Sequence, residues 1–204
     1  MADIEITHQE TARLTRPGSV LSRACSTAAG PARQRNEDAC SLPPAGADEV
    51  RLGCLLAVAD GVGGLPDGGK ASREAVDYLQ ALYYADSGPQ HPADRLSACF
   101  EMVNAINRQS RHHPGVQEGR LTTLVAAVVL RDQIWVANVG DSRAYLVKTE
   151  DGQRHQLTED HSERNRWVKA GLTNGLLLNG HASSGITRAI GLEERCQVDT
   201  YHYT

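Results

Sequence analysis

Hydrophobic positions along the chain follow two periodicities in separate blocks. Over residues 51–60, Leu52, Cys54, Leu55, Leu56, Ala57 and Val58 make a nearly continuous apolar run ended by Gly61, the pattern of a short strand buried on both faces. Ala71, Ala75, Val76, Leu79, Leu82 and Tyr83 then recur at intervals of three and four, which predicts an amphipathic helix stopped by Ser87-Gly88-Pro89. Leu96, Phe100, Val103 and Ile106 mark a second helix that ends before His112-His113-Pro114-Gly115. Residues 122–130 and 134–139 are β-rich runs joined by Arg131-Asp132-Gln133, an antiparallel hairpin, and residues 144–147 read as a third strand continuing the meander. Thr158 to Ser162 are rich in capping residues and precede a short helix. Strands, then paired helices, then more strands argue for an α+β fold with antiparallel sheet covered by helices.

The ends of this pattern are polar. Residues 1–19 are mixed and close on Pro17-Gly18, so they are expected as a flexible arm, with a single domain over residues 20–204. Residues 172–185 are rich in Gly, Asn and Ser and are expected as a mobile loop over a site.

Composition narrows the function more than the fold. Hydrophobic residues make up 40% of the 204, enough for a real core, and a formal charge of −4 gives no footprint for nucleic acid or an anionic membrane. The chain lacks both a signal-peptide core and any run of ~20 apolar residues, so it is expected in the cytoplasm. The five cysteines are dispersed, with no C-x-x-C pair, and fit free thiols in a reducing compartment. Cys54 and Cys99 are expected as core filler.

Three acidic turns carry the chemistry: Asn36-Glu37-Asp38, Asp60-Gly61-Val62-Gly63-Gly64 and Gly140-Asp141-Ser142-Arg143, each beside a strand-like segment. A carboxylate at the end of an apolar strand is costly unless it is paired, hydrogen-bonded or bound to a cation, and hard oxygen ligands suit Mg²⁺ or Mn²⁺. Asp60 ends the most apolar strand, and the glycines after it let backbone approach a ligand, so the Asp60 carboxylate and the Gly61 carbonyl are candidates for one cation. Glu37 and Asp38 are adjacent, so in extended chain only one of them faces Asp60 directly. Arg33 offers a fork for bidentate phosphate binding. Plainer readings stand beside these: Asp60 as the cap of a helix starting near Lys70, Asp141 as a hairpin turn residue, and His161 as a structural hydrogen-bonding histidine or a catalytic one.

In this order the turns resemble the metal-dependent protein phosphatases of type 2C. The likeness extends from about Thr27 to Gly191, through Arg33 with Asn36-Glu37-Asp38, Thr122-Thr123 and Leu157-Thr158-Glu159-Asp160-His161-Ser162 to Ile186-Thr187-Arg188-Ala189-Ile190-Gly191. It implies an α-β-β-α sandwich of two antiparallel sheets flanked by helices, and a centre of two or three Mn²⁺ or Mg²⁺ ions that hydrolyses phosphoserine and phosphothreonine. By the same resemblance Asp60 bridges two metals, Glu37 and Gly61 bind one or the other, Asp38 supports the metal-bound water, Asp141 holds a third metal and Arg33 binds the substrate phosphate. Arg33 and Asp60 are then the catalytic pair, and the partner is a phosphorylated protein, with a Ser/Thr kinase acting on the same targets.

Two departures accompany the resemblance. Val62 stands where animal members carry a proton-donating histidine, as in bacterial members with a hydrophobic residue there. The family pattern continues to a Ser-Asp-Gly turn and an Asp-Asn pair, whereas here only Asp199 follows the last shared motif. The chain is therefore expected to be a fragment of a longer phosphatase with the last strands of one sheet missing. The alternative is a catalytically impaired phosphatase-like module that binds or regulates a partner.

Overall fold

The computed structural model describes residues 6–16, 19–31, 33–63, 67–110, 120–171 and 185–204, with the backbone alone over 6–20. In chain order the elements are β1 (Ile6–Arg16), β2 (Ser19–Ala28), β3 (Asp38–Ser41), α1 (Glu49–Leu52), β4 (Cys54–Asp60), α2 (Gly68–Tyr83), α3 (Pro92–Ser110), β5 (Leu124–Leu130), β6 (Gln133–Val139), β7 (Tyr145–Val147), β8 (Arg154–Gln156), α4 (Glu163–Lys169) and β9 (Asp199–Tyr203).

Five strands form one antiparallel sheet in the order β3-β4-β5-β6-β9. Its period-two pattern sorts the side chains by face. Leu55, Ala57 and Ala59 of β4, with Leu124 and Val128 of β5 and Val139 of β6, belong to one core with Val76, Leu79 and Tyr83 of α2 and Phe100 and Val103 of α3. The helices therefore cover one face. On the other, Val125 and Val136 pack with Leu146, Leu157, Tyr201 and Tyr203. This face is only partly covered: Val58 is 45% exposed, and a cavity of about 350 Å³ lies between β2, β4 and the start of β7. The run ending at Asp60 is thus buried on its helix side and half-open on the other, a correction to the reading of burial on both faces.

The α+β class with antiparallel sheets and helices is found as expected. The second sheet is represented, among the described residues, by two separate ribbons, β1–β2 and β7–β8. Residues 144–147 do not continue the meander because the free side of β6 is taken by β9, with Ile134 opposite Tyr203 and Asn138 opposite Asp199. They pair instead with β8. The N-terminal stretch is also corrected. In place of a flexible arm over 1–19, residues 6–16 are a strand paired with β2 from Ile6 opposite Ala28 to Arg16 opposite Ser19. Its sequence is too polar to show apolar alternation, but pairing satisfies its backbone groups. The strand expected over 51–60 begins at Cys54, because Glu49–Leu52 form a helical turn whose Arg51 N–H bonds the Asp48 carboxylate at 3.1 Å. Cys54 and Cys99 are buried as expected. The loop expected over 172–185 lies, up to residue 184, outside the described residues.

Arg95 on α3 is 1% exposed, and no ion pair compensates its charge among the described residues. It is satisfied by backbone instead. Nε donates to Pro89 O at 2.7 Å, and Nη1 donates to Tyr83 O at 2.7 Å and Ala85 O at 3.1 Å. Carbonyls at the C-terminal end of α2 have no helical partner and carry the negative end of its dipole, so one guanidinium closes the α2–α3 turn.

Candidate metal centre

The first site element is the β3–β4 pair. Asp38 and Asp60 are register partners across it, so their side chains rise side by side from the same end of the sheet. The turn before β3 is built by Asn36, whose Oδ1 accepts the Asp38 N–H at 3.0 Å while its amide donates to Thr27 Oγ1 at 2.8 Å. Glu37 precedes the strand, so pleat alternation does not turn it away. Its carbonyl accepts the Gly61 N–H at 3.0 Å and the Ser72 hydroxyl at 2.5 Å, and its carboxylate lies beside Gly63 and Gly68.

Asp60 is held by its backbone. Its N–H donates to Thr123 Oγ1 at 2.9 Å, and its carbonyl accepts the Thr123 N–H at 2.9 Å and the Thr122 hydroxyl at 2.9 Å. Thr123 Oγ1 lies 2.7 Å from Ser142 Oγ, so one hydroxyl ties the Asp60 turn to the Asp141 turn. Gly61 allows the N-terminus of α2 to sit against this turn: a Cβ there would lie 2.3 Å from the Gly68 carbonyl carbon and oxygen. Gly61→Ala is therefore expected to separate α2 from the Asp60 turn and to weaken Mn²⁺ affinity, read by calorimetry, by roughly tenfold or more, since a ~1 Å displacement at such a site costs far more than its local strain.

Arg33, Glu37, Asp38, Asp60, Gly61 and Asp141 all line one cleft of about 730 Å³. Arg33 is 69% exposed at its side chain, and its nearest described charge partner is Glu37, 4.0 Å away. It is a cation with little to neutralise it except what enters the cleft. Arg143, by contrast, is engaged by Asp160, Nε donating to Oδ1 at 2.7 Å and Nη2 donating to Oδ2, and is not available to a ligand.

The carboxylates are crowded. Burial, then the Asp38 charge and hydrogen bond, then Asp141, push the Asp60 carboxyl up to about 6, against only a weak opposing pull from Arg33. Burial likewise raises Asp141, Asp160 adding to it, while its own backbone N–H and the nearby Arg143 and His161 oppose the shift. A site with this excess of negative oxygen fits a divalent cation, which would relieve the repulsion that the protein leaves in place. Among the described residues no three His, Cys, Asp or Glu side chains converge on one point. From these residues, a cation here would need carbonyl oxygen and water to complete its shell, as Mg²⁺ and Mn²⁺ commonly do.

His161 is buried, and sequence spacing does not reveal what it does. Its Nδ1 accepts the Gly140 N–H at 3.0 Å, its own N–H donates to Gly140 O at 3.0 Å, and its Nε2 lies 3.1 Å from Asp199 Oδ2. Of the two readings for this residue, the geometry gives the hydrogen-bonding one: its ring is engaged by Gly140 and Asp199 and does not line the cleft. Ser72, Thr122, Thr123, Arg188 and Asp199 also support the cleft's turns, and the sequence assigns none of them a role; Thr122, Thr123 and Arg188 lie within motifs of the resemblance, whereas nothing local signals what Ser72 or Asp199 does.

Residues 31–168 match the family described as Protein phosphatase 2C. The chain is 31% identical over 151 residues to a serine/threonine phosphatase of Listeria welshimeri, covering 72% of this chain and 59% of that one. It is 32% identical over 149 residues to a protein phosphatase of Streptococcus pneumoniae, covering 71% and 59%. It thus spans about 59% of the length of these relatives. Among solved structures, the serine/threonine phosphatase of Staphylococcus aureus superposes with a TM-score of 0.74 at 27% identity, covering 95% of this chain and 70% of that one. A PPM Ser-Thr phosphatase of Mycobacterium smegmatis in complex with cacodylate superposes with a TM-score of 0.63 at 28% identity, covering 96% and 72%.

Proposed function

From the membership of this chain in the protein phosphatase 2C family, a family of metal-dependent phosphatases, we propose that it hydrolyses phosphoserine and phosphothreonine in proteins with the help of two or three Mn²⁺ or Mg²⁺ ions. The observation that carries this reading is the convergence of Arg33, Glu37, Asp38, Asp60, Gly61 and Asp141 on one cleft. Asp60, Glu37 and the Gly61 carbonyl would hold the ions, Asp38 the water around them, and Asp141 a further ion. Divalent ions supply a water acidified enough to attack phosphorus at neutral pH and neutralise the phosphoryl oxygens.

The chain's own groups do the positioning. Arg33, at the rim, binds the equatorial phosphoryl oxygens and draws off charge as the ester bond breaks. Cacodylate, with which the M. smegmatis relative is in complex, is a tetrahedral oxyanion like phosphate. Val62 lines the cleft and cannot donate a proton, so water or another group of the cleft must protonate the leaving alkoxide. The cysteines stay out of the reaction: burial pushes the Cys54 and Cys99 thiols up to about 11.

A cytoplasmic location, a phosphoprotein partner and a Ser/Thr kinase sharing its targets belong to the same proposal. Among the described residues no helix is long and apolar enough to cross a membrane. The second reading, a phosphatase-like module that binds without turnover, has one observation in its favour: the absence of three converging ligand side chains among the described residues.

The test is hydrolysis of a phosphothreonine peptide with Arg33→Ala as the comparison. Loss of a charge-assisted contact to phosphate is worth about 1.5–3 kcal/mol, so KM is expected to rise roughly 10- to 100-fold, with a smaller fall in kcat. Equal KM in both proteins would remove Arg33 from the phosphate site. Cation and proton also compete at Asp60. Because burial and the Asp38 charge push its carboxyl up to about 6, apparent Mn²⁺ affinity is expected to hold from pH 8 to 7 and to fall below pH 6, approaching roughly tenfold per pH unit. A flat affinity between pH 7 and 5 would contradict that assignment.

A further inference from the structure

We infer that His161 is a positioning residue that sets the Asp141 turn for metal binding, anchored in turn by Asp199 and Arg188; the inference rests on the reading of the cleft as a metal centre.

Gly140 has φ 113, and a Cβ there would lie 2.6 Å from Thr123 Cγ2, so the turn that presents Asp141 is pressed against β5 in a conformation that does not hold itself. His161 grips this one residue at two points. Its backbone N–H donates to the Gly140 carbonyl at 3.0 Å, and its ring Nδ1 accepts the Gly140 N–H at 3.0 Å. The Asn138 amide donates to the same carbonyl at 3.2 Å. With Nδ1 accepting, the ring proton sits on Nε2, which faces Asp199 Oδ2 at 3.1 Å.

Asp199 lies on β9, at the edge of the sheet, where it opposes Asn138. Arg188 Nη1 donates to Asp199 Oδ1 at 2.6 Å, so guanidinium and imidazole are both held by this one carboxylate; Nη1 also lies 3.1 Å from His161 Nε2, donor beside donor, and adds no bond there. A buried imidazole fixed on one nitrogen is fixed on the other, the arrangement by which a supporting group orients a ligand one step removed. The His161 carbonyl also accepts the Thr187 N–H at 2.8 Å, which joins the 185–191 segment of the cleft wall to the same anchor. None of these three side chains reaches the cleft. Their effect passes through the main chain of Gly140.

The experiment is Mn²⁺ titration by calorimetry on the full chain, well below each variant's melting point, for wild type, Asp60→Asn, His161→Ala and His161→Asn, the last two also in an Asp141→Asn background. His161→Ala is expected to weaken Mn²⁺ affinity about tenfold, since removal of supporting partners of metal ligands costs roughly 10- to 100-fold. His161→Asn, whose Oδ1 can replace Nδ1 as the acceptor, is expected to recover most of that loss. In the Asp141→Asn background His161→Ala is expected to change nothing further, because the two changes act on one interaction.

Wild-type affinity in His161→Ala, or an equal loss with and without Asp141, overturns the inference. A merely structural histidine would lower the melting temperature alike in all backgrounds and leave affinity unmoved. Should His161→Ala not fold, Asp199→Ala is read in its place: weaker affinity that disappears without Asp141 is expected, and unchanged affinity overturns. If wild type and Asp60→Asn bind Mn²⁺ equally, it is the metal-centre reading itself that fails.

Discussion

Asp60→Asn is expected to reverse the order of stability according to whether Mn²⁺ is present. In the metal-free protein the folded state raises the Asp60 carboxyl to about 6, so the charged form is disfavoured by folding. The sign follows: between the ordinary carboxylate range and pH 6 the folded chain binds more protons than the unfolded one, and stability from this group declines as pH rises through that window. Above pH 6 the charge costs stability that asparagine does not. Metal-free Asp60→Asn is therefore expected to melt above wild type at pH 7.5, with a smaller gap at pH 5. Added Mn²⁺ should raise the melting temperature of wild type, by an amount set by concentration over Kd, and scarcely move the variant. Turnover in the variant should fall by roughly 10²–10³-fold or more, the scale for removing a central electrostatic group. A variant that melts below wild type without metal would contradict the picture of repelling carboxylates, which exchanges stability for function.

Arg95→Leu is expected to be strongly destabilising although it lies away from the cleft. The leucine fills part of the volume but leaves the carbonyls of Tyr83, Ala85 and Pro89 without the donors that now satisfy them. Leaving the buried Tyr83 carbonyl unpaired costs about 1–3 kcal/mol, and loss of the part-buried bonds to Ala85 and Pro89 adds roughly 0.5–1.5 kcal/mol each, so a loss of about 3 kcal/mol is expected. At roughly 2–4 °C per kcal/mol for a chain of this size, the melting temperature should drop by roughly 6–12 °C in a circular dichroism melt. Arg95→Lys should recover little, because one ammonium cannot span acceptors that the guanidinium reaches with three nitrogens. A drop below about 3 °C would mean that the α2–α3 turn rehydrates freely.

Arg95 also marks the limit of reading structure from this sequence. Periodicity located α2 and α3 because their buried positions recur at helical spacing, and it located the β5–β6 hairpin because two β-rich runs flank a short polar link. Arg95 occupies a buried position of the same helix stripe as Leu96 and Cys99, and nothing in a pattern of apolar residues marks a charge that is satisfied by carbonyls. β1 was missed for the opposite reason: its partner is β2 rather than the core, so pairing defines it and apolar alternation does not. The short β7 was found but assigned to the wrong neighbour, since only the arrival of β9 from residues 199–203 shows that the edge of β6 is taken.

In the cleft, the acidic turns were legible because each stands at a strand end, where a carboxylate needs a reason. Their placement in a single cavity follows from the Asp38–Asp60 register and the Thr123–Ser142 link. The supports were not legible. Asp199 lies 38 residues from His161, outside any local motif, and only the pairing of β9 with β6 brings them together. Ser72, buried on α2, looks in sequence like an ordinary helix serine until its hydroxyl is seen on the Glu37 carbonyl.

The most direct test of the account is phosphate released from a phosphothreonine peptide by this chain in Mn²⁺, in EDTA, and in Mn²⁺ with Asp60→Asn. Release that requires Mn²⁺, stops in EDTA and is lost in the variant is the predicted result. Mn²⁺ binding that depends on Asp60 with no release would make the cleft a binding site without turnover, and release that persists in EDTA or in Asp60→Asn would contradict a metal centre at these residues.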